Sequence, residues 1–430
     1  MAAGRRSAGC IASVVAGRDA TLWAPVTGSR KLTVLIAAFG DPGHTFPAIA
    51  LARALRDRGH RVVFETWEKW REVLGEAAIE FHAAEEYRVF APADGDGPTA
   101  GEAAVALAPL FAEVRPDVVV NDILTLAPAL AAECHGVPWA TLIPHFYPEH
   151  ASGLPFFAFG GAHLPRTFVG RAVWDLALPV LEAGLRQGRG DLNDERAKAG
   201  LAPTDRFHGG TSEELALVAT VPQLEYPRRW PAHVHVTGPM EFEQPYPDVE
   251  LPEGDGPLVL VAASTAQDPE CRLVRTALAA LADEPVRVVA TTNGHMPREA
   301  IEVPENALLY GWLRYSQVMA AADLVVCHGG HGTVARALGV GTPVLCCPAV
   351  GDMAETGARV GWAGVGMALP WRLLAERTLQ TVVRRMLADE AFARRAAEVG
   401  RWVQAHDGAA RGAELVEEFE LTARARHHDL

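Results

Sequence analysis

A chain of 430 residues is too long for one hydrophobic core and suits two α/β domains with a cleft between them. Its 49% hydrophobic and 21% charged residues fit an ordinary globular protein, and a net charge of −14 argues against a nucleic-acid partner, whose phosphates need a basic face. The six cysteines form no C-x-x-C pair and no metal-ligand spacing with histidine, which points to reduced thiols in a cytoplasmic protein, and no uncharged apolar run is long enough to span a membrane.

Residues 1–30 carry Arg5 and Arg6 ahead of a soft apolar stretch, Ala8 to Gly17, which imitates a secretory signal; its Gly and Ser content favours a disordered tail instead. From Lys31 a continuous apolar run, Leu32 to Phe39, reads as a strand buried on both faces. The turn GDPGH follows, and Pro47 is expected to open the helix AIALARALRDRG, which stops at Gly59 before the strand HRVVFET. Strand, helix and strand at this spacing make a right-handed βαβ unit. The pattern recurs at Asp117–Val120, at a helix near Ala127–His135, at WATLI and at Leu215–Thr220, with an irregular stretch between Pro144 and Trp174. A segment rich in Pro, Gly and acids, residues 237–257, reads as a linker. Beyond it Leu258–Ser264, Val286–Thr292, ALLYGW, Asp323–Cys327 and Pro343–Pro348 alternate with helices as a second doubly wound unit. The domains expected are therefore 31–236 and 258–430, with the last helix either staying in its own domain or packing back on the first. Two such units place a ligand cleft between the carboxyl edges of two parallel sheets.

The strongest local signal is a buried strand running into His328-Gly329-Gly330-His331-Gly332-Thr333 and then a helix. Such a turn aims successive N–H groups at an anion, and Thr333 either caps the helix or donates to a phosphate; alternatively the glycines only make a tight turn. The motif is neither a Walker loop nor G-x-G-x-x-G, and the latter's absence after the first strand counts against a nicotinamide-dependent oxidoreductase. His44 and Asp122 both fall at the carboxyl edge of the first sheet. There they are either a base with its orienting carboxylate or a loop histidine and a helix N-cap.

On these motifs the sequence resembles the family 1 inverting glycosyltransferases of the GT-B fold, the group of plant secondary-metabolite and bacterial antibiotic glycosyltransferases. The resemblance runs over roughly residues 31 to 410. It implies two facing Rossmann-like domains, an N-terminal one for the acceptor and a C-terminal one for a nucleotide sugar. It implies that the loop with His328, Gly330, Gly332 and Thr333 holds the donor diphosphate and that Trp312, with Leu313 beside it, stacks on the base. Ser264 would face the phosphates, Asp352 and Met353 would read the sugar, and His44 in the G-H-x-x-P turn would be the base oriented by Asp122. No divalent metal is then required. This chain departs from the family in three places. Arg336 stands where an acidic residue usually grips the ribose hydroxyls, Met353 and Thr356 replace the Gln and Asn of the sugar-reading motif, and Arg314-Tyr315 replaces Pro-Gln after the tryptophan. The donor is therefore left as a UDP- or TDP-sugar, deoxysugars included.

The stretch from Pro144 to Trp174 is far richer in aromatics than the 7% average of the chain. Phe146, Phe156, Phe157 and Phe159 either line an apolar acceptor pocket or pack beneath a long loop. His145, His150 and His163 are too irregularly spaced for a metal site. The expected activity is sugar transfer to a hydroxyl of an apolar small molecule by a monomer or homodimer without stable membrane insertion. The alternatives are a catalytically silent sugar-nucleotide-binding partner protein and an enzyme acting on a membrane glycolipid.

Overall fold

In a computed structural model of the chain the apolar runs become short strands covered on both faces, because each is continuously Val, Leu, Ile or Ala rather than alternating. The structure describes residues 30–84, 97–206, 210–265, 267–349 and 351–428, so the tail expected before Arg30 lies outside the described residues. Seven strands, β1 (Thr33–Ala37), β2 (Arg61–Thr66), β3 (Glu80–Ala83), β4 (Val118–Asp122), β5 (Trp139–Ile143), β6 (Ala216–Val218) and β7 (Val234–Val236), form one parallel sheet in the order β3-β2-β1-β4-β5-β6-β7. Six more, β8 (Leu258–Ala262), β9 (Arg287–Thr291), β10 (Ala307–Tyr310), β11 (Leu324–Cys327), β12 (Val344–Cys346) and β13 (Gly366–Ala368), form a second in the order β10-β9-β8-β11-β12-β13. In each the order reverses beside the first strand, at β1/β4 and at β8/β11, and a ligand of an open parallel sheet binds in the crevice there. From Leu32 onward the chain forms one compact body.

One expectation about local structure is overturned. The first helix spans Pro42–Asp57, so it begins at Pro42 and carries Pro47 inside it. Proline suits the first helical position because its missing N–H would have no partner there, and Pro47 forgoes only one backbone bond. His44 consequently sits in the first helical turn, its N–H bonded to the Asp41 carbonyl at 3.0 Å, rather than in a turn before the helix.

The last helix, Gly408–His428, crosses back to the first sheet. Leu415, Val416 and Phe419 join Ile36, Leu51 and Leu55 in the core beneath the first helix. Burying each is worth on the order of 1.5–3 kcal/mol. Glu417 fixes the crossing by accepting from the Arg58 guanidinium at 2.7 Å and pairing with His60 Nε2 at 2.7 Å. The segment 237–257 has no helix or strand, although Met240 and Phe242 anchor it in the same core.

The two sheets are also joined by a buried ion network. Arg359, on the helix Gly351–Ala363, lies 2.7 Å from Glu225 Oε2 and 2.7 Å from Glu355 Oε1 and donates to the Leu224 carbonyl at 3.1 Å. Its guanidinium sits 4.4 Å from the centre of the Phe146 ring and 4.2 Å from that of Tyr226. Three charges out of water are tolerable only because each is paired and hydrogen-bonded.

Candidate active site

The carboxyl ends of β1, β2 and β4 are level, Ala37 pairing with Glu65 on one side and Asn121 on the other. Asp122 is the last residue of β4 and is fully buried. Its Oδ1 accepts from the Leu124 N–H at 2.9 Å, and its Oδ2 lies 2.7 Å from His44 Nδ1. A carboxylate can only accept, so Nδ1 carries the proton and Nε2 keeps its lone pair. Burial pushes the His44 pKa down, but the charge and hydrogen bond of Asp122, helped by Asp41 and Asp352, outweigh it, and the net shift is upward. An imidazole with a free Nε2 and a buried carboxylate behind it can take a proton from a hydroxyl.

A second histidine shares this corner. The centre of the His145 ring is 6.1 Å from that of His44, and His145 stacks on Phe157 at 5.4 Å with planes 15° apart. Its Nδ1 donates to the Phe146 carbonyl at 2.8 Å, and burial lowers its pKa, so it stays neutral. No motif signalled it: the residue is adjacent only because β5 ends beside β4.

Across the cleft the loop after β11 enters the helix His331–Gly339 with Gly329 at φ +88°, a conformation that glycine adopts without strain. The His328 imidazole lies against Gly330, where any Cβ would run into it. Burial drops the His328 pKa to about 4, against the pull of Asp352, and its Nδ1 is buried without a partner in the protein. Gly332 is exposed and Thr333 half-buried at the open helix end. His331 turns the other way: it is buried, held neutral with a pKa of about 3 chiefly by burial, and hydrogen-bonded to Thr220 Oγ1 of the first domain at 2.7 Å. Asp352, exposed in the first turn of its helix, raises the pKa of both His44 and His328, so it faces both sides of the cleft. Met353 is buried beneath Gly329. Trp312 is 47% exposed and stacks on Tyr246 of the linker at 5.5 Å and 13°.

Several sequence-derived expectations are corrected by packing. The Leu313 side chain is buried in the second domain's core and presents nothing to a ligand. Arg336 does not point to a diphosphate. It donates to the Phe242 carbonyl at 2.6 Å and lies 3.5 Å from Glu243 Oε1, because the linker passes over its helix. Phe146 is not a pocket wall, being packed edge-on to His331 at 4.9 Å and beneath Arg359. Phe156 is likewise buried, against His150 and Trp174. Phe157, stacked on His145, and the exposed Phe159 are the two of the four that reach the cleft side or surface. The Ser264 hydroxyl, a donor-site expectation, accepts from the Gln267 N–H at 3.0 Å within its own loop.

The loop of Phe157 also reaches the sugar-side helix. Gly160 is packed so tightly on the Gly351 carbonyl that no side chain fits between them, and the Gly161 N–H donates to Glu355 at 3.2 Å. Among the described residues no group of three or more His, Cys, Asp or Glu side chains is arranged to hold a metal ion, and no described helix is long and apolar enough to cross a membrane.

Two parallel sheets facing each other, with a histidine–carboxylate pair on one edge and a glycine turn at a helix N-terminus on the other, define the GT-B class of glycosyltransferase fold. The solved glycosyltransferase of kitacinnamycin shares it, with a TM-score of 0.73 and 22% identity over 91% of this chain and 99% of that one. Residues 275–417 match the model of the erythromycin biosynthesis protein CIII-like C-terminal domain. The chain is 28% identical to 4'-demethylrebeccamycin synthase of Lentzea aerocolonigenes, over 89% of this chain and 98% of that protein. It is 27% identical to O-mycaminosyltylonolide 6-deoxyallosyltransferase of Streptomyces fradiae, over 92% and 99%. The chain is a nucleotide-sugar-dependent glycosyltransferase of family 1, of the natural-product type.

Proposed function

We propose that the enzyme transfers a sugar, with inversion, from a UDP- or TDP-sugar to a hydroxyl of an apolar small molecule, with His44 as general base. The observation that carries this reading is the 2.7 Å contact between His44 Nδ1 and the buried Asp122 carboxylate. It fixes the tautomer, leaves Nε2 able to accept the acceptor's proton, and stabilises the imidazolium that forms as the hydroxyl oxygen attacks. The attacking oxygen and the departing diphosphate then lie on opposite faces of the sugar, which inverts the anomeric carbon.

The orphaned His328 Nδ1, the N–H groups at the start of His331–Gly339 and Thr333 support a diphosphate at the glycine turn. These groups would stabilise the leaving group without a divalent metal. The exposed face of Trp312 supports base stacking, and the apolar Met353 beside Asp352 is compatible with a deoxysugar donor. The five cysteines among the described residues are all free thiols, in keeping with work in the reducing cytoplasm. His44→Ala tests the reading: transfer to a hydroxyl should be abolished while TDP or UDP binding, measured by calorimetry, stays within about twofold, because the base acts only on the acceptor proton. Turnover at the wild-type rate would show the base to be wrong.

A further inference from the structure

The helix Phe168–Leu176 carries an apolar face that nothing in the described structure covers. Phe168 is 84% exposed and Leu176 80%, and Val169 and Val173 are more than half exposed. Val169, Val173 and Leu176 recur at the i, i+4, i+7 spacing of one helical face. Val180, on the next helix, and Phe159 extend the patch. Together these six side chains leave on the order of 600–700 Å² of apolar surface in water, at or above the largest patch of a typical monomer and close to the roughly 800 Å² per partner of a specific interface.

The charges beside the patch point to its occupant. Arg171 and Asp175 are both exposed and stand two residues before and two after Val173. They are spaced i, i+4, yet they form no ion pair with each other. Asp175 instead accepts from the Gly153 N–H at 2.7 Å and the Ser152 hydroxyl at 3.2 Å and keeps lone pairs free. When two such helices pair antiparallel about a two-fold axis through Val173, Arg171 of each copy falls opposite Asp175 of the other. Leu176 then falls opposite Gly170, where no side chain opposes it. An anionic lipid surface fits less well: only Arg166 and Arg171 flank the stripe, and the chain's net charge of −14 is repelled by it.

We propose that the enzyme is a two-fold homodimer formed by antiparallel pairing of the helix Phe168–Leu176 about Val173. The Phe159 ring lies 5.5 Å from Phe156 and 6.2 Å from the Trp174 of this helix, so the second copy also covers the outer side of the aromatic loop that reaches the cleft. The contact is independent of which group acts as base.

Sedimentation velocity on the full chain tests it. The wild type should run as a dimer at micromolar concentration. Leu176→Glu should run as a monomer with its melting temperature and TDP affinity retained. Arg171→Asp and Asp175→Arg should each weaken association at least about tenfold, and the double exchange, which restores opposite charges across the axis, should recover it. Val173→Cys should cross-link to itself under mild oxidation, whereas the wild type, with Cys134 exposed, should not. A wild type that stays monomeric would overturn the proposal, as would a monomer captured by anionic vesicles or by a different protein. A double exchange that fails to recover the dimer would overturn the antiparallel geometry even if a dimer forms.

Discussion

Replacing Asp122 by asparagine isolates the charge behind the base from its shape. The amide can still accept from the Leu124 N–H, so the turn after β4 should survive. Toward His44 it has two choices. If it presents its NH₂ group, the imidazole proton moves to Nε2 and the lone pair that takes the acceptor's proton is gone. If it presents its oxygen, the tautomer survives but the imidazolium forms without a neighbouring negative charge. With charge centres about 4 Å apart and an effective dielectric constant near 20, that charge is worth about 4 kcal/mol, or roughly three powers of ten in rate. We therefore expect kcat to fall about a thousandfold, less than in His44→Ala, with nucleotide affinity nearly unchanged. The pH profile gives an independent check. The base must be neutral to work, so activity falls as pH drops through the His44 pKa, which Asp122 holds above its ordinary value. Without the carboxylate this pKa falls, and the acid limb should move to lower pH. Initial rates at saturating nucleotide sugar and phenolic acceptor, taken from pH 5 to 9, would measure both. A kcat within tenfold of wild type, or an acid limb that does not move down, would refute the assignment of Asp122.

Three further outcomes are expected. Glu65 is buried beside Ala37 with an unpaired Oε2, and burial raises its pKa to about 7. The unfolded chain therefore releases this proton at lower pH than the folded one. Stability is lost as pH rises from about 4.5 to 7, by up to about 3 kcal/mol, and urea denaturation should show the advantage of Glu65→Gln over wild type growing from pH 5 to pH 8. Arg359→Met leaves Glu225 and Glu355 buried without their cation and should cost about 3–5 kcal/mol of stability in the same assay; a loss below 1 kcal/mol would mean that water or relaxation replaces the pairing. Transfer should persist in excess chelator, and its loss with recovery on adding magnesium or manganese would show that the glycine turn does not stabilise the leaving group alone.

Properties set by near neighbours along the chain are legible in the amino-acid sequence. Continuous apolar runs have to be strands buried on both faces, because no polar side chain is available for a wet one. The His328–Thr333 turn has to expose N–H groups at a helix start, since glycine alone takes φ near +88° there without strain. Placement of His44 and Asp122 on one sheet edge follows from their positions after β1 and in β4, although the helix starts at Pro42 rather than Pro47 because two prolines compete for the first position. What only the tertiary structure decides are contacts across long separations. Phe146 and Arg336 carry nothing in their own neighbourhoods to say that the first lies beneath Arg359 and the second beneath the linker. His145 comes to His44 through the β4–β5 pairing, and the last helix reaches the first sheet through Leu415, Val416 and Phe419. A hydrophobic pattern states that a face will be buried, but which face covers it depends on the packing of the whole chain.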